Sequence, residues 1–261
     1  RSTRLPRAIR DVYKRQALLR RGPLVVLVRN PNYEALRRLM LQDLYRVMRN
    51  VPDGSLQEQR EWLTSAVADL VFVHGSNFGS IAAQELEIAR MGRGEMGLPV
   101  VVAAAAGVEQ VGASVGWALS MNDFETALTG AVLRLGQAPA RKTVLESALA
   151  ADRGYARVVA SDACSWCLML ASRGAVYEPE ESASVSGRGR VRKDARQRPG
   201  EAFHDHCRCE VIEVRSANDL PAMNVRLAEM WGEATRGKSG NLYDVWREWL
   251  KENPIRVPAA A

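Results

Sequence analysis

Four cysteines and two of the three histidines of this 261-residue chain fall in two short motifs, Cys164-Ser165-Trp166-Cys167 and His204-Asp205-His206-Cys207-Arg208-Cys209. Sulfur and imidazole donors at such spacings suit a tetrahedral zinc site, because a C-x-x-C pair turns two thiolates to the same side and a second segment closes the shell. Cys164, Cys167, His204, Cys207 and Cys209 are therefore candidate metal ligands, five for four places, with C-x-C the less usual spacing. Two other fates fit the same residues: reduced thiols that simply pack, or disulfides formed outside a reducing compartment. His206 is an alternative to His204, although its ligation makes the adjacent Cys207 awkward to coordinate. His74, alone in a helical stretch, reads as structural.

Three other patterns imitate catalytic motifs. Gly232-x-x-x-x-Gly237-Lys238-Ser239 has the spacing of a phosphate-binding loop, but it follows an amphipathic helix where such a loop follows a strand. Gly112-x-Ser114-x-Gly116 has the spacing of a hydrolase nucleophile elbow, yet Val111, Val115 and Ala118 share a helical face across it. A zinc deaminase places H-x-E before P-C-x-x-C, and here the order is reversed. No nucleophile and base pair outside the metal candidates stands out, and the expectation is a protein without enzymatic activity.

The elements that position the cluster fall into two parts. Residues 17–150 read as a helical region. Leu36, Met40, Leu44 and Val47 line one helix face between Pro31 and Arg49. Ser55 and Glu58 form a capping box ahead of a stripe through Leu63, Val67, Leu70 and Val73, in a helix running towards Met91. Gly92 to Pro99 reads as a loop. Val108, Val111, Val115 and Ala118 mark a third helix, and Phe124, Leu128, Val132 and Leu135 a fourth, which Pro139 separates from a short helix ending near Ala150. Residues 151–261 read as a small α+β module. Strands near Tyr155–Val159 and Glu210–Val214 flank the cysteines, and helices near Asp219–Trp231 and Leu242–Lys251 close it. The expected fold class is α+β, a mainly helical N-terminal region followed by a small module carrying the Cys/His cluster.

A hydrophobic content of 47% is enough to build a core, and 25% charged residues is ordinary for a globular chain. No apolar run approaches the roughly 18 residues of a membrane span, and the basic N-terminus lacks the long apolar stretch of a signal peptide. Residues 1–16, with Asp11-Val12-Tyr13-Lys14-Arg15-Gln16, read as a non-native or disordered tail. The formal charge of +6 is compatible with an anionic partner. Its densest source is the segment 182–200, where Arg188, Arg190, Arg192, Lys193, Arg196 and Arg198 face a lone Asp194. That composition cannot bury a core and predicts a mobile loop, either simply solvated or able to contact phosphates without sequence preference.

The run Asp162-Ala163-Cys164-Ser165-Trp166-Cys167-Leu168-Met169-Leu170-Ala171-Ser172-Arg173-Gly174-Ala175-Val176-Tyr177, followed by Phe203-His204-Asp205-His206-Cys207-Arg208-Cys209, resembles the Mu F-like minor head proteins of tailed phages, those of actinobacterial phages above all. Val108-Glu109-Gln110-Val111 to Trp117-Ala118-Leu119 is similar to the helical region of that group. The family's C-x-x-C falls on Cys164 and Cys167, and its H-x-x-C-x-C on His204, Cys207 and Cys209; His206 stands where an Asn is often found. The resemblance implies a minor capsid protein in few copies, assembled in the host bacterial cytoplasm and placed at the portal and the inner capsid surface of the virion head. Its expected role is head morphogenesis, with DNA packaging or ejection. Two other readings remain: a capsid maturation protease, and a sequence-neutral DNA-binding module. No membrane partner is expected.

Overall fold

The computed structural model describes residues 31–160, 162–175 and 203–255. The tail 1–16 and the basic segment with Arg188, Arg190, Arg192, Lys193, Arg196 and Arg198 lie outside them.

The described chain is α+β. Four helices come first: α1 (Pro31–Arg49), α2 (Leu56–Gly92), α3 (Val108–Leu119) and α4 (Phe124–Ala150). Then follow β1 (Gly154–Val158), α5 (Ser165–Ala171), β2 (Glu210–Val214), a 3-10 turn at Ala217–Asp219, α6 (Ala222–Thr235) and α7 (Leu242–Glu252). No helix among the described residues is long and apolar enough to cross a membrane.

Local chemistry accounts for the helix starts. Ser55 and Glu58 make the reciprocal capping box at the head of α2, satisfying backbone donors that the first turn leaves open. Asp123 caps α4 by accepting from the Thr126 N–H at 3.0 Å. The core stripe of α2 departs from the predicted one at its fourth position. Val73 is 53% exposed, while His74 is buried and its Nε2 lies 2.9 Å from Asp43 Oδ2 of α1. Along a 37-residue helix the buried face follows Leu63, Val67, Leu70, His74 and Phe78, and a step of three instead of four at Leu70 leaves it. Val108, in the first turn of α3, is likewise exposed, whereas Val111, Val115 and Ala118 are buried as expected.

The separation of α4 at Pro139 is also corrected, because α4 is a single helix of 27 residues with Pro139 inside it. An interior proline removes one helical hydrogen bond and costs about 3 kcal/mol. Here close packing offsets that cost. Gly75 and Gly79 of α2 bring their backbone against the ring, so a Cβ at either would lie 3.3 or 3.4 Å from it. The two helices cross where side chains are smallest.

Leu98 to Gly107 lies over this crossing. The Val101 N–H donates to Ser147 Oγ at 2.8 Å, and the Ala103 N–H donates to Thr143 Oγ1 at 3.0 Å. Both residues are fully buried on α4, and each hydroxyl satisfies a backbone N–H of the segment.

Helix α4 is the central element, packing against α1, α2, α3 and both strands. β1 and β2 pair antiparallel with Tyr155 opposite Glu213. A two-stranded sheet is marginal alone and needs such a support. A second core lies beyond it, where Cys167, Leu168, Leu170, Leu227, Met230 and Trp246 pack together. Val211 of β2 touches this core, the core of the helical region and the small cluster of Leu145, Ala148 and Tyr155.

Candidate metal centre

Two backbone turns carry the donors. Cys164 is the N-cap of α5, extended at φ −71° and ψ 164°, and its carbonyl accepts from the Leu168 N–H at 3.0 Å. Cys167 follows in the first turn, where a spacing of three returns to the same face of the helix. In the second segment the Cys207 N–H donates to the His204 carbonyl at 3.2 Å, and His206 between them adopts φ +61°. This left-handed residue reverses the chain. The reversal brings His204 and Cys207 towards the α5 cysteines, and Arg208 adds an ion pair with Asp162 at 3.4 Å.

All five sequence-predicted donors meet. Cys164, Cys167 and His204 form one group of mutually close ligand atoms, and Cys167, Cys207 and Cys209 form another, with Cys167 shared. His204 Nε2 lies 2.9 Å from Cys164 Sγ and 3.4 Å from Cys167 Sγ, and Cys167 Sγ lies 3.4 Å from Cys207 Sγ. Tetrahedral zinc with sulfur and imidazole ligands separates neighbouring donors by about 3.5–3.8 Å, close to the spacings found within each group. These clusters can hold a metal. His206 belongs to neither group.

One hydrogen bond orients the histidine. His204 Nδ1 donates to the Asp205 carbonyl at 2.7 Å, which holds the ring so that Nε2 faces the sulfurs. Without an ion the donors share protons. A hydrogen bond from Cys167, working against burial and joined by His204, brings the Cys164 thiol down to about 4. The bond to Cys164 raises His204 to about 9 despite burial. Cys167 is pushed up as the donor to Cys164 and Cys207. Cys207 is held low by bonds from Cys167 and Cys209, with Arg141 and Arg157 adding to them. Cys209, although lowered by Cys167, rises to about 12 through its bond to Cys207 and through burial. The shifts alternate in direction around the cluster, as they do for coupled donors that compete for too few protons.

Helix α4 supplies a surround that the sequence did not announce. Arg134 Nε donates to Asp205 at 2.8 Å. Arg141, 4% exposed, donates from Nη2 to the Cys207 carbonyl at 2.8 Å and from Nε to the Cys209 carbonyl at 3.1 Å. The Phe203 ring lies between Arg141 and Arg157, whose guanidinium carbons sit 3.8 and 3.7 Å from its centroid. Arg157 also reaches Cys167 Sγ at 3.5 Å. The available signal was the presence of two arginines, Arg134 and Arg141, two turns apart on one face of a largely apolar helix. Charges placed there must find partners.

Two of the imitations of catalytic motifs resolve into a helix and a turn. Ser114 lies inside α3 and donates to the Gln110 carbonyl at 3.0 Å, on no strand-to-helix turn. Gly232 is still within α6, and Gly237, at φ +69°, turns the chain after that helix ends.

No curated protein and no solved structure matches the chain. The family described as VG15 protein matches residues 27–234, which include α1 to α5, both strands and all five donors. With most of its length matched, the chain belongs to the VG15 protein family.

Proposed function

We propose that this chain is a phage minor head protein of the Mu F-like type, acting in head morphogenesis at the portal and the inner capsid surface. The observation that carries the reading is the pairing of C-x-x-C with H-x-x-C-x-C in one folded cluster. VG15 family membership agrees with a phage-encoded protein. The helical region offers its partners apolar surface, with Phe72, Ile88 and Trp117 all well exposed. Arg188 to Arg198 supply a contact for packaged DNA that is driven by phosphate charge and weakened by salt.

In this reading zinc is the resident ion, as a thiolate-rich, imidazole-containing donor set favours. Cys164, Cys167, His204 and Cys207 are the ligands, and Cys209 stands beside them as a buried thiol. The sulfur-facing Nε2 of His204 and the 3.4 Å approach of Cys207 to Cys167 support this choice. A closed four-ligand site leaves no position for substrate, so the ion holds the fold and does no chemistry.

Co-expression with the cognate portal protein tests the role. Co-purification of the two is expected, and failure to associate during head assembly would reject it. Specific cleavage of the capsid precursor would favour a maturation protease instead.

A further inference from the structure

The second half of the cluster is held from two sides. Its sulfurs and imidazole face α5, while its backbone rests on α4, a helix that contributes no ligand. Contact with α4 is close. A Cβ at Gly130 would lie 2.7 Å from Asp205 Cβ and 2.7 Å from His206 Nε2. One turn on, Arg134 pairs with the Asp205 carboxylate, and two turns further Arg141 donates to the carbonyls of Cys207 and Cys209. Asp205 joins the two sides through a single residue, since its side chain pairs with α4 and its carbonyl fixes His204.

We infer that metal binding at this cluster and the docking of Phe203–Val214 onto α4 are one coupled event, with Gly130 and Arg141 as positioning residues that touch no metal. The inference rests on the zinc reading above. Coupling runs both ways: whatever wedges the segment off α4 must weaken metal binding by the same free energy with which metal loss weakens docking. Charge supports it as well. Zinc with three thiolates and one imidazole carries a net negative charge, which the guanidiniums of Arg141 and Arg157 oppose from inside the protein.

Gly130→Ala isolates the effect, because alanine strengthens the helix by about 1 kcal/mol and removes no ligand. Zinc affinity is measured on the full chain by competition with a chromophoric chelator, with cobalt spectra reporting the ligand set. Gly130→Ala and Arg141→Met are each expected to weaken binding about 10–100-fold with an unchanged cobalt spectrum, the range seen when outer-shell partners of metal ligands are lost. His206→Gly added to Gly130→Ala is expected to restore part of the affinity, since glycine removes the clashing ring and takes the left-handed conformation without steric cost. If wild type binds zinc and both single variants bind within about twofold of it, the coupling is wrong and the zinc reading stands. If wild type binds no zinc, the zinc reading fails and the coupling with it.

Discussion

Arg90 of α2 and Glu213 of β2 form an ion pair in which each side chain is only 2% exposed. Arg90 also donates to the Pro99 carbonyl at 2.9 Å and the Ser147 carbonyl at 3.1 Å, and Arg93 and Arg153 reach the same Glu213 carboxylate. Every charge in the group is answered. Glu213→Ala removes the shared acceptor and leaves a buried guanidinium without its counter-charge, so a loss of about 3–5 kcal/mol is expected in chemical denaturation. A loss within the error of the measurement would mean that water replaces the carboxylate freely.

The ligand assignment separates two neighbouring cysteines. Cys207→Ser is expected to abolish stoichiometric zinc, whereas Cys209→Ser is expected to retain one equivalent, as read by elemental analysis of protein purified under reducing conditions. The opposite pattern would move the fourth corner of the site to Cys209.

Metal-free protein has its own pH behaviour. His204 is raised to about 9, above the ordinary histidine value, so its contribution to stability is complete below that ordinary value and is lost as pH rises through about 9. Cys164 is lowered to about 4, so its contribution is complete above the ordinary thiol value and is lost as pH falls through about 4. A thiolate–imidazolium pair therefore occupies the window between about 4 and 9. Ultraviolet thiolate absorbance of the chelator-treated protein is expected to persist down to about pH 4, and its disappearance near neutrality would contradict the pair.

Packing at the crossing of α2 and α4 predicts a size limit. A Cβ at Gly75 would already lie 3.1 Å from Ala105 Cβ and 3.3 Å from Pro139 Cγ. Gly75→Leu is expected to cost about 1–3 kcal/mol or more by thermal denaturation, as overpacking does elsewhere. Retention of wild-type stability would show that Leu98–Gly107 lifts away without penalty.

Much of the helical architecture was legible because it is written in local spacing: Met40 and Leu44, Val111 and Val115, and the Ser55 cap each report on neighbours within a turn or two. The exceptions arise where distant parts decide. Pro139 reads as a break until Gly75 and Gly79 of another helix are seen to cradle it, and Val73 reads as core until Asp43 draws His74 inward. At the site, the five donors were legible because both halves are contiguous motifs. Arg134, Arg141 and Gly130 were not, since their partners lie far along the chain. The left-handed φ of His206, a conformation that Asn tolerates better than most residues, was not legible either, since it is set by the reversal that returns the chain to α5.

Val211 has a further consequence. One side chain packs against the helical core, the core behind the cysteines and the cluster around Tyr155. Loosening any one of the three exposes a face of the side chain that the other two also pack against. Heating the chain should therefore give a single calorimetric peak, with no plateau in which one half has melted while the other persists.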